Sequence, residues 1–310
     1  MPAHTVLVTA DPAALYLAPL KRLPPETRVV VSNQREPLFE AAPDADVLVH
    51  GDFHNPQLFL ETFPRAPRLR WMHVLSAGID RQLSPEIIAS PAPMTNGRGV
   101  FSRPLGEWAI GAMVYFAYDL PRVLRNQRAG VWEPFAHEEL HGRTVAIVGY
   151  GDIGQAVGER ATAFGMRVNP IRRNHQPEDL IGAMEAADYV ALTAPLTPET
   201  RGLIGARQIA AMKQTAVVIN VGRGPVIDQG ALLAALESEK IRGAALDVFE
   251  TEPLPGAHPF YKMDNVLLSP HCADILPNSR ELAVEFFVEN FLRFAKGEPL
   301  RNIVNKHAGY

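Results

Sequence analysis

The segment Gly149-Tyr150-Gly151-Asp152-Ile153-Gly154 has the spacing G-x-G-x-x-G, a pattern in which the backbone passes close to a pyrophosphate. It ends the apolar run Thr144–Gly149 and opens a helical stretch, Gln155–Phe164. In that setting the first glycine allows a tight turn and the second lets the backbone approach phosphate. The third lets helix and strand pack closely, so the phosphates meet the helix N-terminus. An acidic residue about 20 positions further on would hold a ribose 2′-hydroxyl. The sequence there reads Asn169-Pro170-Ile171-Arg172-Arg173-Asn174. Two guanidinium groups stand in place of the acid, and they match a 2′-phosphate in charge and shape. The expectation is NADP(H) as preferred cofactor. NAD(H) is the alternative, with Arg172 and Arg173 as solvated loop residues.

Three later segments carry polar side chains at the ends of apolar runs: Asn220-Val221-Gly222-Arg223-Gly224, Asp247-Val248-Phe249-Glu250-Thr251-Glu252-Pro253-Leu254 and Ser269-Pro270-His271-Cys272-Ala273. Ligands of open parallel sheets bind beyond the carboxyl ends of the strands. Read as strand ends, the three segments bring a guanidinium (Arg223), a carboxylate (Glu252) and an imidazole (His271) beside the dinucleotide. Taken singly, each has a plainer reading. His271 after Pro270 is a packed loop histidine, Glu252 lies in a turn, and Arg223 is exposed between glycines. Their joint occurrence behind a dinucleotide motif favours chemistry.

The elements that must carry these residues form two series. Thr5–Thr9, Arg28–Val31, Asp46–Val49 and Leu69–Val74 are the strands of the first. Thr144–Gly149, Met166–Ile171, Tyr189–Thr193, Ala216–Val221, Gly243–Val248 and Asn265–Ser269 are those of the second. Near-continuous apolar strands alternating with helical segments predict parallel sheets covered on both faces. The fold class is therefore α/β, with two doubly wound parallel-sheet domains: a Rossmann dinucleotide-binding domain and a smaller flavodoxin-like domain. A helix is expected over Ser102–Gln127, capped by Ser102 and kinked or restarted at Leu120-Pro121. A last amphipathic helix spans about Ser279 to Lys296, stopped by Gly297, with Leu282, Phe286, Phe287, Phe291 and Phe294 as its apolar stripe. Residues 1–98 with 277–310 are expected to form the smaller domain, and 99–276 the dinucleotide domain.

Composition narrows the class. The chain has 310 residues, enough for two cores, and a formal net charge of −4, without the basic excess of a nucleic-acid binder. Its one cysteine, Cys272, permits no internal disulfide and no zinc-type spacing, which fits a reducing cytoplasm. The N-terminal residues lack the pattern of a secretory signal, and no apolar run reaches the roughly 18 residues that span a bilayer. No metal and no membrane or nucleic-acid partner is expected.

Together, the glycine loop, Ala194-Pro195-Leu196-Thr197-Pro198-Glu199-Thr200, the strand before Arg223 and the segments ending at Glu252 and His271 resemble the D-isomer specific 2-hydroxyacid dehydrogenase family, in particular its glyoxylate/hydroxypyruvate reductase-like members. Leu75-Ser76-Ala77-Gly78-Ile79-Asp80 extends the likeness into the first domain. The resemblance implies hydride transfer between NAD(P)(H) and a small 2-oxo/2-hydroxy acid, with the smaller, split domain as the substrate domain. It implies His271 as general acid/base, Glu252 hydrogen-bonded to the imidazole, and Arg223 on the substrate carboxylate and 2-oxo group. Backbone N–H groups of Ser76, Ala77 and Gly78 would meet the same carboxylate. The cofactor would be held by Gly149, Gly151, Asp152, Ile153, Gly154, Arg172, Arg173, Ala194, Pro195, Thr200, Val221, Gly222, Arg223, Asp247, His271 and Ala273. The resemblance further implies a homodimer with Ser102–Gln127 at its interface. Trp132 would lie either near a partner's active site or as packing within that interface. Asp274 departs from the small or apolar residue usual in the family after His271-Cys272-Ala273. The alternatives are the same chemistry on a larger 2-hydroxy acid and a dinucleotide-sensing, corepressor-like protein.

Overall fold

A computed structural model of the chain describes residues 3–53 and 55–310. In chain order the elements are β1 (His4–Thr9), β2 (Thr27–Ser32), α1 (Arg35–Ala41), β3 (Val47–His50), α2 (Gln57–Thr62), β4 (Trp71–Val74), α3 (Pro85–Ala89) and β5 (Met94–Asn96). Then come α4 (Ser102–Ala117), α5 (Leu120–Ala129), β6 (Thr144–Val148), α6 (Asp152–Ala163), β7 (Arg167–Ile171), α7 (Pro177–Ala186), β8 (Tyr189–Leu192) and α8 (Ala206–Ala211). The chain closes with β9 (Val217–Asn220), α9 (Gln229–Glu237), β10 (Gly243–Leu246), β11 (Val266–Leu268) and α10 (Ser279–Ala295). It divides into two compact units, one of residues up to Phe101 with Ile275–Tyr310, the other of Ser102–Asp274. These divisions fall two to three residues from the expected 98 and 277. Phe101 stays with the first unit, its ring edge-on to Phe53 at 6.5 Å.

The first unit holds a five-stranded sheet in the order β2-β1-β3-β4-β5, every pair parallel. This is the flavodoxin-like order. Side chains alternate across the sheet. Leu7, Leu48, Met72 and Met94 pack with Leu38, Phe59 and Ile87 on one face. Trp71 and His73 point to the other, where Trp71 stacks on Phe287 of α10 at 5.3 Å. The Phe stripe of the last helix thus covers the sheet built from the N-terminal residues. Thr95 of β5 serves both ring systems: its hydroxyl accepts from Trp71 Nε1 at 2.9 Å and lies 2.7 Å from His73 Nδ1.

The second unit holds a six-stranded parallel sheet ordered β11-β10-β9-β8-β6-β7. Strands β6, β8, β9 and β10 are buried on both faces, as their apolar runs require. Strand β7 is an edge strand, as is β11 at the other end. Strand β7 carries Pro170, which has no N–H to give and belongs in an edge strand. The further strand that would flank it in the order 3-2-1-4-5-6 is absent among the described residues, and the chain turns after Ile171 into α7. Helix α4 packs on α6 at Gly106, where a Cβ would lie 3.0 Å from the backbone of Ala156.

One sequence expectation changes here. Ser102 is not a side-chain cap. It is the first residue of α4, and its buried hydroxyl has no hydrogen-bond partner. Of the kink or restart expected at Leu120-Pro121, the structure has the restart: α5 begins at Leu120. Asp119, at φ 46°, ends α4 and caps α5 by accepting from the Arg122 amide at 3.3 Å.

Candidate active site

The glycine loop runs from the end of β6 into α6. Gly149 has φ 93°, and a Cβ there would stand 2.5 Å from Ala194. A Cβ on Gly154 would stand 2.5 Å from the carbonyl oxygen of Gly149, which already accepts from Thr193 Oγ1 at 2.5 Å. Both positions therefore exclude any side chain. Gly151 differs, because a Cβ there would meet nothing within 4 Å. Packing does not demand a glycine at 151, whereas close approach of a ligand to the backbone does. Asp152 and Ile153 form the first turn of α6, whose N-terminal amides offer an anion site. These residues fit a dinucleotide pyrophosphate.

Around that loop, Gly222 lies against the Ala194 carbonyl, 2.8 Å from where its Cβ would be, and Val221 is buried. Thr200 Oγ1 donates to the Pro195 carbonyl at 2.6 Å and accepts from the Thr197 amide at 2.8 Å, closing the 194–200 loop on itself. Arg172 and Arg173 follow β7 and are exposed. The Arg172 guanidinium lies 4.9 Å from the centre of the Tyr150 ring, a stacked cation. The Tyr150 ring in turn crosses α6 at Gly158, whose missing Cβ leaves room for it. Sequence reading passed over Tyr150 as a variable position of the motif. The legible signal was Gly158, eight residues on in a helix.

Three turns, after β9, β10 and β11, carry the remaining groups. Asn220 is fully buried and ties the first turn. Its Oδ1 accepts from the Gly222 amide at 3.1 Å and its Nδ2 donates to the Arg223 carbonyl at 3.1 Å. Arg223 is half-buried, and its Nη1 donates to the Gly222 carbonyl at 2.8 Å. Glu252 uses both oxygens: Oε1 accepts from the Phe249 amide at 3.0 Å, and Oε2 lies 2.8 Å from His271 Nδ1. The structure thus brings Glu252 and His271 into direct contact. His271 has φ 51°, a region uncommon for residues other than glycine.

Asp247 accounts for that backbone. It is almost completely buried, and its Oδ1 accepts from the amides of Cys272 and Ala273 at 2.9 and 3.1 Å, while its carbonyl accepts from the His271 amide at 2.8 Å. The family resemblance puts Asp247 among the cofactor-holding residues. In the structure its carboxylate clamps the turn that presents the imidazole. Both Asn220 and Asp247 escaped notice as positioning residues because nothing local in sequence reveals which loop a buried polar strand-end will hold.

The electrostatics follow from these contacts. The Glu252 hydrogen bond raises the His271 pKa above its ordinary value against the opposing effect of burial, with the Glu252 and Asp247 charges helping and Arg223 opposing. Asp274, half-buried, has its carboxyl raised by burial and by the Asp247 charge, against the His271 and Arg223 charges and its own backbone N–H. In the first unit the Ser76 loop is pinned through its carbonyls. Those of Ser76, Ala77 and Gly78 accept from the Gly97 amide (2.9 Å), Asn96 Nδ2 (2.5 Å) and Ser76 Oγ (2.8 Å). Cys272 is exposed, with Sγ 3.3 Å from Ser269 Oγ. Trp132 is 96 % exposed. Among the described residues no helix is long and apolar enough to cross a membrane.

A two-unit α/β chain with a glycine-rich phosphate loop and a carboxylate-bound imidazole at neighbouring strand ends is the architecture of a nicotinamide-dependent oxidoreductase. The sequence profile of the D-isomer specific 2-hydroxyacid dehydrogenase NAD-binding domain matches residues 110–273. A glyoxylate reductase of Korarchaeum cryptofilum is 35 % identical over 299 residues, covering 91 % of this chain and 87 % of the relative. Two solved structures match nearly end to end. One is a D-isomer specific 2-hydroxyacid dehydrogenase of Xanthobacter autotrophicus Py2 in complex with NADPH and MES, with TM-score 0.83 and 29 % identity over 99 % of each chain. The other is the NADPH-dependent glyoxylate/hydroxypyruvate reductase of Sinorhizobium meliloti in complex with NADP and sulfate, with TM-score 0.83 and 25 % identity over 99 % of this chain and 100 % of that one. The chain belongs to the D-isomer specific 2-hydroxyacid dehydrogenase family, an oxidoreductase with a nicotinamide-dinucleotide domain.

Proposed function

We propose that the protein reduces a small 2-oxo acid of the glyoxylate or hydroxypyruvate type to its D-2-hydroxy acid, with NADP(H) preferred. The observation that carries this reading is the 2.8 Å contact between Glu252 Oε2 and His271 Nδ1. With Nδ1 donating to the carboxylate, Nε2 is the nitrogen that exchanges a proton with the substrate oxygen. The raised pKa keeps that proton available near neutral pH. A bound nicotinamide supplies the hydride. Arg223 takes the substrate carboxylate and polarises the 2-oxo group.

Support for NADP(H) comes from Arg172 and Arg173 standing where an acid would select NAD(H), and from the cofactors named with the Xanthobacter and Sinorhizobium structures. A homodimer is supported by the apolar side chains left exposed on and after α5, namely Val123, Leu124, Val131 and Trp132. The lone cysteine suits a reducing cytoplasm.

The test is steady-state reduction of glyoxylate, hydroxypyruvate and pyruvate with NADPH and with NADH, for the wild type and for His271→Asn. Asparagine tolerates the left-handed backbone that residue 271 adopts. We expect turnover by the wild type and a loss of about 10²–10⁴-fold in kcat/KM for the variant, with NADPH affinity within a few-fold. Tight NADPH binding without turnover of any acid would favour the sensor reading instead.

A further inference from the structure

The imidazole is only as well placed as the turn that carries Glu252. That turn leaves β10 at Leu246 and returns through a turn of 3-10 helix, Pro259–Lys262, to β11, whose carboxyl end leads to His271. Within it, Glu252 Oε1 reaches back to the Phe249 amide at 3.0 Å, so the Phe249–Glu250 peptide is the footing of the carboxylate. One side of that peptide is packed: Gly224 lies flat against the Phe249 carbonyl and the Glu250 nitrogen, with no room there for a Cβ. Packing against a glycine supplies contact without a hydrogen bond. The bond comes from further along the segment that holds Arg223. Gln229 is the first residue of α9, and its Oε1 accepts from the Glu250 amide at 3.0 Å. With that oxygen engaged, its Nε2 is a donor, and it lies 3.2 Å from His258 Nε2. His258 stands at the head of the 3-10 turn, whose Phe260 is buried in the core of this unit. One half-buried side chain, carried by the helix that follows the Arg223 turn, therefore meets both the turn after β10 and the segment leading into β11.

We propose that Gln229 is a positioning residue for the acid–base pair: it fastens the Glu252 turn to the Arg223 turn and so holds the Glu252 carboxylate where it meets the His271 imidazole. The proposal rests on the 2-oxo acid reading above for its rates, but not for its contacts. Without an acceptor at Gln229, the Glu250 amide turns to water and the Phe249–Glu250 peptide is free to lift from Gly224. The Phe249 amide moves with that peptide, and Glu252 follows the amide it is bonded to. The 2.8 Å contact with His271 is then made for a smaller fraction of the time, and small displacements of an acid–base group are costly in rate. The action of Gln229 is indirect, through the peptide on which Glu252 rests.

The experiment compares the wild type with Gln229→Leu, which removes both polar contacts at similar size, and with Gln229→Glu, which keeps an acceptor for the Glu250 amide. The first readout is the pH titration of the His271 ring by NMR in the cofactor-free protein, its signal identified as the one missing from His271→Asn. The other charges acting on that ring, those of Asp247, Arg223 and Asp274, are present in both variants. In Gln229→Leu the midpoint is expected to move to lower pH, the direction that loosening of the Glu252 contact gives, while Gln229→Glu titrates near the wild type. The second readout is steady-state reduction of hydroxypyruvate with NADPH. There kcat is expected to fall roughly 3- to 10-fold in Gln229→Leu and to stay within about 2-fold in Gln229→Glu, with NADPH affinity within about 2-fold in both. A His271 titration in Gln229→Leu that coincides with the wild type overturns the proposal, and so do equal losses of kcat in the two variants. Should the leucine variant fail to fold, Gln229→Ala takes its place. A wild type that reduces no 2-oxo acid removes the functional reading, and the titration, which needs no substrate, still decides the role of Gln229.

Discussion

Replacing Glu252 by glutamine tests the arrangement on which the proposed chemistry turns. The carboxylate serves two donors, the Phe249 amide at 3.0 Å and His271 Nδ1 at 2.8 Å. Glutamine has a single acceptor oxygen, so one of the two donors must face an NH2 group. If the backbone amide keeps the oxygen, the imidazole loses a charge-assisted bond. If the imidazole keeps it, the turn opens. A hydrogen bond to a charged group contributes about 1.5–3 kcal/mol, which spans roughly 10- to 150-fold in rate. The His271 side chain is 40 % exposed, and solvent competes for it, which places the effect in the lower part of that range. The expected outcome for Glu252→Gln is a loss of about 10- to 50-fold in kcat/KM for 2-oxo acid reduction near neutral pH. The pH profile carries the stronger signature. Reduction requires the protonated imidazole, so in the wild type activity falls as pH rises through the raised His271 pKa. Removing the carboxylate's charge and hydrogen bond lowers that pKa, and the alkaline limb of the profile moves to lower pH. NADPH affinity, measured by fluorescence titration, is expected to stay within a few-fold. An alkaline limb in Glu252→Gln that coincides with the wild type would refute the role given to this pair.

Three further outcomes follow from the geometry. Arg172→Asp removes the cation stacked on Tyr150 and is expected to shift the NADPH-to-NADH ratio of kcat/KM toward NADH by 10-fold or more, about the loss of one ionic hydrogen bond; an unchanged ratio would show that neither arginine reads the 2′-position. Asp247→Ala frees the Cys272 and Ala273 amides and with them the backbone of His271, so kcat is expected to fall by about 10²-fold or more while the glycine loop, on other strands, still binds cofactor; equal kcat in variant and wild type would refute the clamp. His73 and His50 are buried, their pKa values pushed down to about 3 and about 4 by loss of solvation. Both are neutral in the folded chain and take up protons in the unfolded chain below pH 6.5. Urea denaturation from pH 7.5 to 4.5 is expected to show stability falling below pH 6.5 by about 1.4 kcal/mol per pH unit for each histidine. His73→Gln should flatten that slope by one proton, and an unaltered slope would count against the buried neutral state.

Much of this arrangement is legible in the residues. Runs such as Thr144–Val148 and Val217–Asn220 are too apolar for anything but strands covered on both faces, and the polar residues that follow such runs mark the edge where Glu252 and His271 meet. The glycine loop announces itself because only glycine fits against Ala194 and the Gly149 carbonyl. What sequence did not disclose is of three kinds. Strand β5, Met94–Asn96, is three residues long, with no periodicity to detect, and exists because β4 offers it an edge. Ser102 looks like a cap, yet it sits inside α4, and the restart of the helix depends on Asp119 adopting a left-handed backbone that no residue pattern demands. Asn220 and Asp247 act on loops through bonds whose partners are known only once the strands are ordered side by side.

The division of the chain has a consequence for its birth on the ribosome. The first sheet is assembled from residues before Phe101, but the helix that covers its Trp71 face, and residues Asn302, Ile303 and Val304 that bond to β5 and the loop after it, follow the whole second unit in the chain. The intervening 173 residues, by contrast, form a contiguous segment that needs nothing downstream to close its own sheet. Vectorial synthesis therefore favours the inner segment maturing first, while the N-terminal strands wait with one apolar face uncovered. That reverses the usual N-to-C order of domain maturation and leaves one apolar face of the first sheet open to chaperones while the second unit is being made.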